Sequence, residues 1–361
     1  MNKENVFYFY STGCPKTLGG LNKLKSDLNN LGVRITEDES QATHIIYRPC
    51  TFQNSKLEIS QNVIRKFLDA GKNVIVTGCV VPLVKWCEEN NVLVCQNPNF
   101  KMFFIKNFPN EIGKVENQII NFGPYVQVSE GCHGDCAYCM ISKVEIGKRY
   151  WSIPREQIFT QTEMVIKNGH KMIILGGDDL TPYGCDLYGN SYGLPELLMD
   201  VKSKYPDVEI AIANLNIRYA KEWNDSQIIN VIECVRNGNL HLPLQSGDDN
   251  VLEHMKRLGY KRKDFIDLHS KIYSYGGTVG TDFIVGFPGE TDEQFENTLD
   301  IIRNYCLEFV EIFGFEPMPD TEAASMPNQI SEHIKYERMK RCTYEFIKKN
   351  PRKNAITNRA W

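Results

Sequence analysis

No apolar run in the 361-residue chain reaches the roughly 18 residues that a membrane-spanning helix requires. The amino terminus, MNKENVFYFYSTGC, lacks the apolar core and the small-residue cleavage site of a signal peptide. Excess positive charge is lacking too. Forty-one Lys and Arg stand against 45 Asp and Glu, a net charge of -4, which leaves room for a local basic patch but gives no general reason to expect a nucleic-acid partner. The 12 cysteines are well below the density of a disulfide scaffold. These absences predict a reducing cytoplasm, where clustered cysteines serve as metal ligands or catalytic groups more often than as disulfides. At 42% hydrophobic and 24% charged residues the chain is of ordinary globular composition. It is long enough for two domains, or for a barrel with a smaller partner.

The most informative stretch is GCHGDCAYCM, Gly131 to Met140, which sets Cys132, Cys136 and Cys139 in the spacing CxxxCxxC. Three thiolates on one short loop suit three irons of a [4Fe–4S] cluster and leave the fourth iron open to bind a second molecule and exchange electrons with it. Tyr138 would pack beside the cluster or its ligand. Zinc is the rival occupant, but zinc loops use paired C-x₂₋₄-C spacings with a fourth Cys or His nearby. His133 lies between the first two cysteines, where the loop is too tight for it to share their metal easily. Three packing cysteines are the remaining alternative.

The first third alternates β-rich runs with helical patterns. Strands are expected at Val6–Tyr10, Thr43–Arg48, Lys72–Thr77 and Asn91–Cys95, and helices at Leu18–Leu31 and Ser55–Ala70. That alternation implies parallel, right-handed βαβ units. Cys14, Cys50 and Cys79 each follow one of the first three strands by a few residues. They therefore share the carboxyl edge of the sheet, where open α/β folds bind ligands. Three unrelated loop cysteines would be the alternative. Cys87 and Cys95 are expected to be packing residues.

Asn107–Asn121, polar and holding Pro and Gly, reads as a linker. Six β-rich runs follow, each ahead of a helical pattern: Tyr125–Ser129, Met172–Leu175, Val208–Ala213, Leu240–Leu244, Val279–Val285 and Phe309–Phe313. Six βα units predict a partial, open barrel with its functional groups at the carboxyl ends of the strands. The fold expected is thus α/β, a small parallel amino-terminal domain (residues 1–118) followed by a partial (βα)₆ barrel (residues 124–345) and a basic tail (residues 346–361). Four stretches fall at the barrel mouth. LGGDD offers Gly176 and Gly177, whose missing side chains admit a ligand to the backbone, although a plain turn explains them as well. LPLQSGD offers Gln245 and Ser246 as partners for ribose or substrate. GTDFIVGFPGET carries Asp282, an acid that is costly in a barrel interior unless paired. FGFEPMPDTEAASM carries Glu316. Arg149 is as readily a surface charge as a site residue. Cys185 is expected to pack, with a ligand role as the alternative, and Cys234, Cys306 and Cys342 lie in helical patterns expected to be core.

The CxxxCxxC loop with its aromatic resembles the signature of radical S-adenosylmethionine (SAM) enzymes. STGCPK at Cys14, the PC pair at Cys50 and TGC at Cys79, followed by the barrel stretches in this order, resemble the methylthiotransferases of tRNA and of a ribosomal protein. The resemblance implies two [4Fe–4S] clusters, a SAM-binding one on Cys132, Cys136 and Cys139 and an auxiliary one on Cys14, Cys50 and Cys79. It implies SAM contacts at Tyr138, Gly176, Gly177, Gln245, Ser246 and Glu316, with Asp282 catalytic. It also implies a reducing partner such as flavodoxin or ferredoxin. In that family an unactivated C–H bond becomes C–S–CH₃, with a 5′-deoxyadenosyl radical taking the hydrogen.

The sequence departs from the family in three places. Thr17, Leu18, Gly19 and Gly20 stand where the family carries an Asn and an acidic residue, Arg48-Pro49 stands where it has Asn-Thr, and Met318, Pro319, Asp320 and Thr321 interrupt its R-P-G-T-x-A stretch. The residues after Lys349 leave no room for the family's carboxyl-terminal TRAM-type β-barrel, so that domain is expected to be missing. With the modest charge, these departures favour a peptide or small protein substrate, such as a ribosomally synthesised peptide later matured. The alternatives are a threonylcarbamoyl-adenosine-like nucleoside of tRNA, a radical SAM peptide maturase of another reaction type, or an iron–sulfur electron carrier.

Overall fold

The computed structural model describes residues 4–13, 15–51, 54–78, 80–95, 100–116, 118, 120–141, 150–189, 192–350 and 355–357, of which 15, 16, 54, 81 and 355–357 are described by their backbone alone. Cys14, Cys79 and Arg149 lie outside the described residues.

Four parallel strands open the chain in the spatial order β1 (Phe7–Ser11), β2 (His44–Arg48), β3 (Asn73–Thr77) and β4 (Leu93–Cys95). Between and after them run α1 (Pro15–Asn30), α2 (Asn54–Asp69), α3 (Val84–Glu89) and α4 (Phe100–Asn107). The two-residue period of a strand sorts its side chains onto two faces. Phe7, Phe9, Ile46 and Ile75 meet Leu21, Leu24 and Leu28 of α1 and Phe104 of α4 on one face. Ile45, Tyr47, Val74 and Val76 meet Ile64 and Phe67 of α2 on the other. Both faces are covered, so the strands read as continuous apolar runs. Cys87 and Cys95 are buried in these two cores, as packing residues are.

The segment expected to be a linker is pinned to the connection between α1 and β2. Gly113 N–H donates to Leu31 O at 2.8 Å, and Gln118 accepts the Ile35 N–H at 2.8 Å. Beyond it come β5 (Tyr125–Gln127), then a short antiparallel pair, β6 (Ser129–Glu130) with β7 (Trp151–Ser152). After these follow α5 (Arg155–Lys167), β8 (Met172–Gly176), α6 (Leu194–Lys204), β9 (Glu209–Ile212), α7 (Ile217–Ala220), α8 (Asp225–Cys234), β10 (Asn239–His241), α9 (Asp249–His254), α10 (Arg262–Ser274) and β11 (Thr278–Val285). The chain continues with α11 (Asp292–Asn304), β12 (Val310–Gly314), α12 (Glu322–Ser325), α13 (Glu332–Lys349) and β13 (Ala355–Thr357). β5, β8 and β9 form one parallel arc and β10 to β13 another, with a bridge from Ile210 to Val235 between them. All six expected barrel strands are present, and the α/β fold with a partial barrel is as the sequence implied.

Three expectations are corrected. Cys185, expected to pack, is exposed. The residues beyond α13 are not only a tail: Ala355–Thr357 lies parallel to β12 in the register Val310↔Ala355, where the β-prone Ile356 and Thr357 extend the sheet edge. Cys306 is not in the core. It follows the end of α11, is exposed, and its carbonyl accepts a bond from His269 Nε2 at 2.9 Å. Cys234 and Cys342 are buried as expected.

Helix α1 joins the two halves. Asn22 donates to Gly123 O and Tyr125 O, both at 2.9 Å, and Lys25 Nζ donates to Asn121 O at 3.0 Å. One turn earlier, Gly19 lies so close to Gln127 that an added Cβ would be 3.4 Å from its backbone nitrogen. The helix therefore runs antiparallel to β5, with its amino-terminal turn beside that strand's carboxyl end. Because α1 starts where β1 ends, the carboxyl edge of the first sheet and the mouth of the barrel open to the same side.

A buried ion pair closes the far side of the mouth. Glu290, fully enclosed, accepts the Gly286 N–H at 2.6 Å and pairs with Arg338 of α13 at 2.7 Å. Burial pushes its carboxyl up to about 7 in spite of Arg338. An acid whose folded pKa lies above its unfolded value binds more protons folded than unfolded in the interval between the two. Stability therefore falls as pH rises from about 4.5 to about 7. The expected loss is about 3 kcal/mol at most. Denaturation midpoints of wild type and Glu290→Gln across this window measure it, since the variant lacks this contribution to the slope.

Candidate active site at the barrel mouth

The CxxxCxxC loop leaves β6 and crosses the mouth. Its start is held by Gly131 N–H to Asp178 Oδ2 at 2.9 Å. Its middle is held by Ala137 N–H to Met255 O at 3.0 Å, and Ala137 O accepts the Ala323 N–H at 2.9 Å. Groups following β8, α9 and β12 thus clamp one loop. Beneath it Ala137 joins Val251, Met255, Phe287, Phe315 and Ala323 in a small apolar cluster, with Tyr138 set edge-on to Phe287 at 6.5 Å. Burial raises the Tyr138 phenol well above its ordinary pKa, so it stays neutral.

The three cysteines are half-buried. The thiols of Cys132 and Cys136 gather around Gly134, where a Cβ would lie 3.3 and 3.7 Å from the two sulfurs. The Gly134 N–H donates to Cys132 Sγ at 3.2 Å and the Ile141 N–H to Cys139 Sγ at 3.4 Å. Backbone N–H groups directed at thiolates are a common setting for iron–sulfur clusters, whose potentials they help to set. Among the described residues no three His, Cys, Asp or Glu side chains converge on a point that one metal ion would fill. Thiolates of a four-iron cluster ligate different irons and stand further apart. The donor set and its cradle fit such a cluster.

LGGDD does more than turn the chain. An added Cβ on Gly177 would sit 2.1 Å from Ser129 Oγ, so glycine is needed there for β6 and the β8 loop to touch. Asp179, 4% exposed, takes the Cys132 S–H at 3.7 Å and the Asn216 side-chain amide at 2.8 Å. Burial raises its pKa, and burial together with Asp179 pushes the Cys132 thiol up to about 12. A thiol this reluctant to ionise becomes a thiolate when a metal takes its proton's place. Neither Asp179 nor Asn216 was expected from the sequence. The paired Asp after the glycines was the available signal for the first, and nothing marked the second.

Gln245 has a left-handed backbone (φ +73°) and is held by its N–H to Asp282 O and by the Ile284 N–H to its own carbonyl, both at 2.8 Å. Its side-chain Oε1 is buried with no hydrogen-bond partner among the described residues, which suits a ligand donor. Ser246 is different. It is fully buried, and its hydroxyl accepts the Asp248 N–H at 3.2 Å, so it serves the loop and is withdrawn from ligand. Asp282 points into the barrel and bonds His241 Nε2, with Glu311 beside it in register on β12. Burial alone would lower the His241 pKa, but Asp282 and Glu311 outweigh it and favour the imidazolium. Burial, then Asp282, raises Glu311. His241 ends the strand that leads into LPLQSGD, and its place there was the overlooked signal. Glu316 is half-buried past the end of β12. His133 is exposed, its ring 4.8 Å from that of Tyr150 and its Nδ1 3.4 Å from Tyr219 Oη.

At the other thiol set, Cys50 is half-buried just beyond β2. Arg48, at the end of that strand, lies between Gly20 of α1 and Gly78 after β3. An added Cβ on either glycine would come within 2.4 and 3.0 Å of its side chain. Its buried Nε has no hydrogen-bond partner among the described residues.

A partial α/β barrel whose first loop presents three clamped thiols at the mouth defines a radical SAM enzyme. A model of the radical SAM superfamily matches residues 126–302, and one of the uncharacterised protein family UPF0004 matches residues 6–93. The chain is 27% identical over 378 residues to a tRNA-2-methylthio-N(6)-dimethylallyladenosine synthase of Fusobacterium nucleatum, covering 94% of this chain and 82% of that one. It is 28% identical to a probable threonylcarbamoyladenosine tRNA methylthiotransferase of Methanocaldococcus jannaschii, covering 92% and 80%. It is 27% identical to the ribosomal protein uS12 methylthiotransferase RimO of Chlamydia felis, covering 93% and 77%. The chain belongs to the radical SAM methylthiotransferase family. Among solved structures its fold is similar to the radical SAM methyltransferase TsrM of Kitasatospora setae, with TM-score 0.63 at 12% identity over 89% of this chain and 75% of that one. It is also similar to the cobalamin-dependent radical SAM enzyme OxsB, with TM-score 0.55 at 10% identity over 96% of this chain and 56% of that longer one.

Proposed function

We propose that the chain replaces an unactivated C–H bond by C–S–CH₃ on an adenosine of tRNA, with its SAM-binding cluster on Cys132, Cys136 and Cys139 and an auxiliary cluster on Cys14, Cys50 and Cys79. The docking of α1 on β5 carries the reading, because it turns the sheet edge that bears Cys50 and the barrel mouth to one side. When bound, the first cluster supplies the electron that cleaves SAM. The protein's own share is to orient and to exclude. The clamps from Asp178, Met255 and Ala323 fix the thiol loop, the free Oε1 of Gln245 offers a contact to SAM or substrate, and the Phe287–Phe315 cluster keeps water from beneath the loop. We take residues 1–118 and 124–345 as the two units that divide this work. The tRNA substrate follows the relatives, two of the three described being tRNA enzymes.

One observation favours a peptide instead. Beside the thiol loop lies a cleft of about 390 Å³ lined by His133, Tyr192, Glu196, Tyr219, Glu222 and Trp223 among others, with no Lys or Arg among its described walls. Aromatic and acidic walls suit a basic or aromatic side chain better than a phosphate backbone. Expression in cells lacking their own tRNA methylthiotransferases separates the two. Methylthio-adenosine in tRNA digests is the expected result. Its absence, with methylthio groups in protein or peptide digests, overturns the tRNA reading in favour of the peptide.

A further inference from the structure

Arg257 occupies an unusual place for a cation. It follows α9 by three residues, after Lys256 in a left-handed conformation (φ +54°) has turned the chain back toward the mouth. Two of its nitrogens are fixed by neutral oxygens: Nε donates to Tyr260 Oη at 2.8 Å, and Nη2 donates to Pro243 O at 3.0 Å. Tyr260 is itself anchored to Leu244 O at 3.0 Å, and its ring lies under the guanidinium at 5.2 Å. Those contacts leave Nη1 directed at the sulfur of Cys136, 3.8 Å away. Among the described residues Arg257 forms no ion pair with a carboxylate, although carboxylates elsewhere on this surface pair freely with Arg and Lys. The guanidinium is half-buried and feels the Asp179 carboxylate only through space, so the group within bonding reach of Nη1 is the sulfur of the thiol loop.

We propose that Arg257 is a positioning residue whose charge-assisted bond to the Cys136 sulfur raises the reduction potential of the cluster held by Cys132, Cys136 and Cys139. Hydrogen bonds and positive charge at a ligand sulfur favour the reduced, more negative cluster. The rigid fork held by Tyr260 and Pro243 keeps that bond in place where a lysine would not. The inference rests on the reading of the three-thiol loop as a cluster site.

The test is an EPR-monitored redox titration with dithionite on anaerobically reconstituted full-length protein. It follows the cluster signal that SAM perturbs, in wild type, Arg257→Gln, Arg257→Lys and Tyr260→Phe, with iron and sulfide measured on each. Arg257→Gln is expected to make reduction at least about tenfold less favourable, which for a one-electron couple is a shift of about 59 mV to more negative potential. Arg257→Lys is expected to recover part of that shift, and Tyr260→Phe to fall between Lys and wild type. Full iron content with an unchanged midpoint in Arg257→Gln would overturn the proposal. Should Arg257→Gln fail to retain iron, the Lys and Phe variants decide: a negative shift in both supports the proposal, and wild-type midpoints in both overturn it. Wild type that binds no iron on this loop would instead refute the cluster reading itself, a distinguishable failure.

Discussion

Replacing Cys132, Cys136 and Cys139 together by alanine is expected to reduce SAM cleavage to the uncatalysed background while leaving the fold in place. The three sulfurs are half-buried, so their removal opens no large core cavity and the stability cost is modest. The three backbone bonds that clamp the loop to the barrel do not involve them. Gly131 N–H to Asp178, Ala137 N–H to Met255 O and Ala323 N–H to Ala137 O are backbone donors on carboxylate or carbonyl oxygens and survive the substitution. Iron content should fall by about four per chain, one four-iron cluster. Release of 5′-deoxyadenosine on adding SAM and a strong reductant should fall by at least about 10³-fold, well within the acceleration an enzyme of this difficulty supplies. Unchanged circular dichroism alongside those losses separates chemistry from folding. Retained deoxyadenosine formation would mean that the electron enters elsewhere, and the thiol loop would lose its assigned role.

How much of this could be read from the sequence depended on whether a residue's task is local. Strands β1 to β4 and the six barrel strands were legible because apolar β-branched runs, bounded by Gly, Pro and Asn, report their own burial. The thiol loop was legible because its ligands lie within eight positions. What escaped was set by distant packing. Arg257, in MKRLGY, reads as one more surface cation until the turn at Lys256 and the anchor at Tyr260 fold it inward. Gly177 was read as an opening for ligand, and the structure adds a steric reason for it in Ser129 on a different strand. Ser246 and Gln245 are adjacent and equally polar in sequence. The left-handed backbone at Gln245 leaves one side chain with an oxygen unpartnered among the described residues and sets the other inside its own loop. The strand at Ala355–Thr357 escaped because three residues carry too little periodicity to stand out from a basic tail.

Replacing Cys14, Cys50 and Cys79 together by alanine is expected to have the opposite signature: SAM cleavage persists and the methylthio product disappears. The chemistry requires this split. One SAM that loses its adenosyl group leaves methionine, and one that gives up its methyl group leaves S-adenosylhomocysteine. Both keep their sulfur, so the sulfur of C–S–CH₃ must be supplied from a second site. The carboxyl edge of the first sheet is the fitting place for that site. Cys50 lies there, Arg48 brings a cation into the same edge between Gly20 and Gly78, and α1 turns the edge toward the side on which the barrel opens. Iron and sulfide analysis with Mössbauer spectroscopy should show about eight irons in reconstituted wild type and about four in the variant. Deoxyadenosine formed by the variant should stay within a few-fold of wild type, because the clamps on the barrel loop come from β8, α9 and β12 and not from the first sheet. About four irons in both proteins, with the methylthio product still formed, would place the sulfur donor off the chain and withdraw the auxiliary cluster from the proposal. About four in both with no methylthio product from either would leave a radical SAM enzyme of another reaction type, its substrate carbon activated but receiving no sulfur.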